Sequence, residues 1–332
     1  MPDHDVADSP GALRSYLELL RLPNIFTAMA DVAMGFLFLG GGPDQVPWAW
    51  SAGGELTRQG YWLLGLLVAS SSLLYAAGVV LNDVFDLATD RQERPCRPLP
   101  SGRISLRTAR WLGGEMLLIR TFLPCAMAWS LRQPRLAAVE VALAAAIVLY
   151  DRFLKRTPLG PLAMGSCRML NVLLGMSVLG GPGQPDHWQP QHWLVAGAVG
   201  LYIVGLTWFS RQEADQSRRA ALGLATAVML AGVALLSLLP LSTDDVIPLL
   251  SLEPSRWVIL MLMLGAIILV RCLWAVSEPT PGRVQMAVKQ GLLSLVVLDA
   301  AAALAVEGLP GAILVLAFLL PAVFLGTWIS ST

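Results

Sequence analysis

The residues best suited to chemistry sit at one end of an apolar stretch. Asn82, Asp83, Asp86 and Asp90 lie in the run NDVFDLATD, with no glycine or proline to interrupt it. The apolar residues 61–82 lead straight into it, and the pattern predicts one helix through both. On that helix Asn82, Asp86 and Asp90 are spaced i, i+4, i+8, and Asp83 stands beside Asp86 at i+3, so all four share one side. Like charges at that spacing repel. A divalent cation removes the repulsion. Mg²⁺ suits the arrangement, because it takes one or two protein carboxylates and completes its octahedron with water and phosphate oxygens. The plain alternative is a solvated acidic helix end, although three carboxylates on one stripe at a membrane boundary are expensive to hold together. Histidine and cysteine offer nothing comparable. Cys96, Cys125, Cys167 and Cys272 form no CxxC pair, and His4, His187 and His192 fall in a tail and a loop, so neither a zinc site nor a disulfide framework is indicated.

The elements that must hold this stripe follow from composition. Of 332 residues 55% are hydrophobic and 14% charged, against about 25% charged in a soluble domain. Lys+Arg and Asp+Glu are 23 each, which removes the basic footprint that a nucleic-acid partner requires. The apolar residues come in runs of about 20, the length of a bilayer-spanning helix. Ten segments are expected, near 23–40, 61–82, 107–130, 136–151, 159–180, 192–210, 220–240, 257–276, 287–306 and 310–330, most of them separated by breakers such as GGGP, RQPR, GGPGQPD and SEPTPG. The third carries Glu115 and Arg120 inside it. Residues 12–21, ALRSYLELLR, have the spacing of a short amphipathic helix on the membrane surface, behind a polar tail at 1–12. The first ten residues, MPDHDVADSP, are acidic and polar and form no positively charged n-region, so the first span is expected to stay as an anchor. The expectation is one all-α integral membrane bundle over residues 1–332.

Charge sets the orientation. With the N-terminus inside, the cytoplasmic connections hold 16 Lys and Arg and the opposite side holds 4, namely Arg58, Arg132, Arg135 and Arg256. The acidic stripe is then cytoplasmic. Arginine outnumbers lysine 21 to 2, which reads as the codon usage of a GC-rich bacterium and makes the bacterial inner membrane the expected location.

Asn82-Asp83-xx-Asp86-xxx-Asp90, followed by Arg97-Pro98-Leu99-Pro100-Ser101-Gly102-Arg103-Ile104, resembles the first signature of the UbiA superfamily of intramembrane prenyltransferases. Arg21-Leu22-Pro23-Asn24, Tyr150 with Lys155-Arg156, and Arg168-xx-Asn171 agree in order, so the resemblance covers most of the chain. It implies about nine helices around a central cavity open sideways to lipid. It also implies a prenyl diphosphate bound through Mg²⁺ by two acidic motifs, and ionisation to an allylic cation attacked by a lipophilic or aromatic acceptor. The implied metal ligands are Asp83, Asp86 and Asp90 in the first motif and Glu213 and Asp215 in the second. Asn82, Arg97, Tyr150, Lys155, Arg156 and Arg211 are the implied diphosphate contacts. Plain positive-inside anchoring is an equal reading of Lys155 and Arg156. Arg168 and Asn171 are candidates for the cavity, or for a structural hydrogen bond between helices.

Two features depart from the family pattern. Glu213 and Asp215 are spaced i, i+2, which does not place them on one helical face. A tenth apolar segment is the other. Both features, with the stretch GPLAMGSCRMLNVLLGMS, are similar to the EboC-like branch. They keep open a second reading, an isoprenoid- or metabolite-binding membrane protein that serves a transport or biosynthetic complex without turnover. A secondary transporter built from inverted repeats is disfavoured, since both acidic loops fall on the same side.

Overall fold

The computed structural model describes residues 11–39, 49–50, 56–131, 133–178, 187–211, 219–242 and 252–328. Among them the ordered elements are helices: α1 (Ala12–Leu19), α2 (Leu22–Phe38), α3 (Arg58–Glu93), α4 (Leu106–Leu131), α5 (Pro134–Leu149), α6 (Gly160–Gly175), α7 (Pro190–Ser210), α8 (Arg219–Ser237), α9 (Pro254–Ser277), α10 (Pro281–Leu316) and α11 (Leu319–Trp328). Among the described residues each of the ten expected segments falls largely on a helix. Five stretches of the described residues are by themselves long and apolar enough to cross a membrane: α3, α7, α8, α9 and the run Pro281–Trp328. Helix α9 turns Ile259, Leu262, Met263, Val270 and Leu273 outward, the exposure expected of a lipid-facing surface.

Helix α3 matters most. At 36 residues it is about 54 Å long, nearly twice the hydrocarbon thickness of a bilayer. Its last three turns, which carry the acidic stripe, therefore project past the apolar span. Thr57 starts it as an N-cap, its hydroxyl accepting from the Gly60 amide at 3.1 Å.

Three boundaries differ from expectation, each for a local reason. The ninth and tenth segments form one run bent at Gly308, whose φ of 69° and ψ of −157° only glycine adopts easily, with Pro310 two residues on. Helix α5 ends at Leu149, and Tyr150–Leu154 continue as a π-turn outside it. The surface helix stops at Leu19 and is pinned to protein. Arg103 donates to Glu18 at 2.7 Å and to Ser15 at 3.2 Å, while Leu19 packs with Val80, Leu99, Ile104 and Ala109.

Helices α2 and α6 approach so closely that a Cβ at Gly35 or Gly175 would strike the Val172 or Val32 carbonyl. Small residues permit such backbone contact between membrane helices. This contact brings Asp31 of α2 against Arg168 of α6.

Candidate active site

The acidic stripe is not bare. Arg21 donates to Asp83 Oδ1 at 2.7 Å, and Arg97 lies 3.6 Å from the same oxygen and donates to Asp90 Oδ2 at 2.9 Å. On the other flank Lys155 donates to Asn82 Oδ1 at 2.8 Å and to Asp86 Oδ2 at 2.6 Å, and Arg156 reaches Asp86 Oδ1 at 2.9 Å. Positions 83 and 90 are two helical turns apart and point alike; 82 and 86 point to the adjacent flank. The stripe thus splits into two pairs. Among the described residues no three acidic, histidine or cysteine side chains converge on one point.

Three carboxylates face four cations, and the pairs are not equally costly to open. Arg156 is 65% exposed, so its pairing with Asp86 is worth at most about 1 kcal/mol. Arg97 is 10% exposed and Asp83 4%. Burial, and next the charge of Arg21, lower the Arg97 pKa from its ordinary value, against which Asp83 and Asp90 hold it charged. Asp86 is the carboxylate that a competing cation reaches most cheaply. Asp86, with Asp83 one turn away and the Asn82 amide oxygen beside it, is a hard-oxygen donor set that fits Mg²⁺.

The sequence signals no site role for Arg21. It occupies the left-handed region, φ 45° and ψ 50°, as the N-cap of α2. For a residue with a Cβ this costs roughly 1–2 kcal/mol, and such strain concentrates at functional sites. It turns the chain between α1 and α2 and delivers the guanidinium to Asp83. The RLPN run contains no glycine or asparagine at that position to signal it.

The link between α5 and α6 supplies the opposite wall. Arg211, at the end of α7, donates to the Thr157 carbonyl at 2.8 Å and to the Lys155 carbonyl. It staples the turn that carries Lys155 and Arg156 and does not reach the carboxylates. Glu213 and Asp215, with Arg218, lie outside the described residues.

Beneath the stripe is a cavity of about 330 Å³. Arg21, Asn82, Tyr150, Asp151 and Ser210 ring its charged end. Leu143, Ile147, Ile203, Leu206, Val288 and Leu292 make its sides apolar, and Ser71, Tyr75, Arg168 and Asn171 line its far part. From Asn82 to Ser71 along α3 is about 16 Å. At the far end Arg168 donates to Asp31 at 2.6 Å and to Thr27 at 2.8 Å, its guanidinium 5.5 Å from the Tyr75 ring centre. Asn171 donates to the Ala28 carbonyl at 2.9 Å and to Asp31 at 3.2 Å, and accepts from Ser71 at 2.7 Å. Asp299 of α10 faces the same Asp31 and is fully buried. Arg168 and Asn171 therefore line the cavity and bind the helices together at once.

Asp151 is the second residue to which the sequence alone assigns no role. It is 5% exposed and lies at the charged end of the cavity, in the π-turn beyond α5. Burial pushes its carboxyl up to about 7, with Asp86 and Asp83 adding to the rise and Lys155 and Arg21 opposing it.

The UbiA prenyltransferase family model matches residues 45–291, about three quarters of the chain. The chain belongs to the UbiA prenyltransferase family. It is an integral membrane protein of that family. Curated relatives include digeranylgeranylglyceryl phosphate synthases of Saccharolobus solfataricus, 30% identical over 167 residues that make up 49% of this chain and 51% of that one. That of Methanosarcina barkeri is 31% identical over 174 residues, 51% of this chain and 56% of the relative. The chain thus spans about half the length of the curated relatives it matches. Among solved structures, a digeranylgeranylglyceryl phosphate synthase superposes with a TM-score of 0.57 at 20% identity, over 89% of this chain and 98% of that one. A UbiA homologue from Archaeoglobus fulgidus bound to DMAPP and Mg²⁺ gives 0.55 at 16% identity, over 85% and 99%. These identities establish the shared fold. The all-α membrane bundle expected from sequence is the UbiA fold.

Proposed function

We propose that the protein is a Mg²⁺-dependent prenyltransferase that moves a prenyl group from a prenyl diphosphate to a lipophilic acceptor. The observation that carries this reading is the position of Asn82, Asp86, Lys155 and Arg156 at the mouth of an apolar cavity. A prenyl diphosphate has the matching two ends, an anionic head and a hydrocarbon tail. Asp86 and Asp83 would hold Mg²⁺, with Asp90 supporting through Arg97; the ion, when bound, neutralises negative charge on the leaving diphosphate.

The chain's own residues do the rest. Lys155 and Arg156, freed from Asp86, turn to the diphosphate oxygens, where charge-assisted hydrogen bonds are strongest. Arg211 keeps the turn beneath them in place. Arg21 and Tyr150 close the head-group end, and Leu206, Val288 and Leu292 exclude water from the carbon that ionises. Glu213 and Asp215 complete the head-group site from the loop after α7 in this reading. The names of the curated relatives support a glyceryl phosphate acceptor over an aromatic ring. The test is thermal unfolding in detergent with geranylgeranyl diphosphate. Stabilisation that needs Mg²⁺ and disappears with EDTA is expected; a shift indifferent to the metal contradicts the reading.

We infer further that the N-terminus and the 94–105 loop face the cytoplasm, on the 16-to-4 split of Lys and Arg. A Ser101→Cys variant in a background otherwise free of cysteine is expected to resist an impermeant maleimide added to intact cells. Labelling from outside would reverse the assignment.

A further inference from the structure

Prenyl transfer to a hydroxyl releases a proton. When an acceptor hydroxyl attacks, the C1–O bond to diphosphate breaks and its electron pair leaves with the diphosphate. The acceptor oxygen bonds to C1, and its hydrogen goes to a base, either the departing diphosphate or a side chain of the cavity.

Among the described residues the carboxylates at the mouth are committed. Asp83 is held by Arg21, Asp86 by Lys155 and Arg156, and Asp90 by Arg97. At the far end Asp31 is held by Arg168. Asp151 is different: it has no hydrogen bond or ion pair within 4.0 Å among the described residues, and it lines the cavity itself. It lies against the bare backbone of Gly78, where an added Cβ would come 3.8 Å from Asp151 Oδ2. Gly78 is one helical turn inward of Asn82 on α3, so the carboxylate sits just inside the head-group site. Asp151 lies in the π-turn Tyr150–Leu154, an element that is rare and frequent at functional sites. The charged and titratable groups acting on it are Lys155 and Arg21, which favour its anion, Asp86 and Asp83, which oppose it, and Tyr150 and Cys167 on the adjoining walls.

We propose that Asp151 is the general base of the transfer, taking the proton from the acceptor's nucleophilic hydroxyl as the allylic carbon is captured. The role rests on the prenyl-transfer reading above. It assigns the acceptor, a hydroxyl-bearing amphiphile, to the stretch of cavity between Asn82 and Cys167. The prenyl tail occupies the apolar sides beyond it.

The test compares wild type with Asp151→Asn and Asp151→Glu, using labelled geranylgeranyl diphosphate, Mg²⁺ and geranylgeranylglyceryl phosphate as acceptor probe. Asp151→Asn keeps the volume and should bind the diphosphate within about twofold of wild type, by Mg²⁺-dependent thermal stabilisation. Its kcat should fall at least about 100-fold, the lower end of general-base contributions, and KM for the diphosphate should stay put. Asp151→Glu should recover part of the loss. Wild-type kcat should decline as pH falls through about 7, because the protonated acid cannot accept a proton, and the asparagine variant should lose that limb. Turnover of Asp151→Asn within a few-fold of wild type, with the acid limb retained, overturns the role and leaves the prenyl-transfer reading standing. Diphosphate binding without turnover of the probe by wild type overturns the assigned acceptor and the role together. Loss of diphosphate binding in both variants marks Asp151 as structural and also overturns it.

Discussion

Asp86→Asn is expected to remove most of the Mg²⁺-dependent stabilisation by a prenyl diphosphate, a loss of at least tenfold in affinity, while the protein without ligand keeps its fold. The reason lies in the exchange that ligand binding requires. Asp86 would hold Mg²⁺ only once Lys155 and Arg156 let it go, and the largely exposed Arg156 costs little to move. On the proposed reading the released cations would meet the diphosphate, so that one carboxylate would anchor the metal and free two positive groups. A neutral amide in its place lacks the charge and would hold metal and cations far more weakly. Asp83 is expected to matter comparably, although its link to Arg21 and its burial mix stability into the readout. Glu213→Gln with Asp215→Asn is expected to cost less, about 1–2 kcal/mol of binding, the scale of one charge-assisted hydrogen bond. Arg211, Arg218 and Arg219 flank that motif in sequence, and on the proposed reading their positive charge would take over part of the neutralisation. Titrating geranylgeranyl diphosphate against both variants at fixed Mg²⁺ checks the asymmetry. Equal losses would make the two acidic motifs equivalent.

Arg168→Met is expected to destabilise the bundle by about 3–5 kcal/mol, the usual cost of removing one partner of a buried ion pair. Its guanidinium is the cation bonded to Asp31, and Asp299 packs against the same carboxylate. Without it two acids remain in the middle of the helices α2, α3, α6 and α10. Asp31→Leu combined with Arg168→Met should recover much of the loss, because the unpaired charge then disappears along with its partner. Denaturant unfolding in mixed micelles measures both. A single variant as stable as wild type would mean that the network contributes nothing to the fold.

The fold was legible because hydropathy is a local property. Each apolar run of about 20 residues had to become a helix, and the stripe at 82–90 had to continue one, since nothing in NDVFDLATD breaks it. The stripe's partners were only half legible. Lys155 and Arg156 carry a dual reading in sequence, anchoring or diphosphate binding, and their bonds to Asp86 became visible only with the fold. Arg21 and Asp151 escaped for a shared reason: their roles come from backbone states, a left-handed N-cap and a π-turn, that no residue type announces. Arg97 and Arg211 were expected at the diphosphate; one is wedged between Asp83 and Asp90 and the other ties down the Lys155 carbonyl. Arg168 and Asn171 were read as cavity or structure, and the packing of α2 on α6 makes them both.

On the proposed reading the cavity transfers a prenyl group under control of the acidic stripe. The most direct measurement incubates purified protein in detergent with labelled geranylgeranyl diphosphate, Mg²⁺ and either geranylgeranylglyceryl phosphate or 4-hydroxybenzoate, then separates lipid products. Mg²⁺-dependent label in the glyceryl phosphate product, absent from the Asp86→Asn reaction, is the predicted result. Tight, Mg²⁺-dependent binding of the diphosphate with no labelled product from either acceptor would contradict it and leave an isoprenoid-binding protein in place of an enzyme.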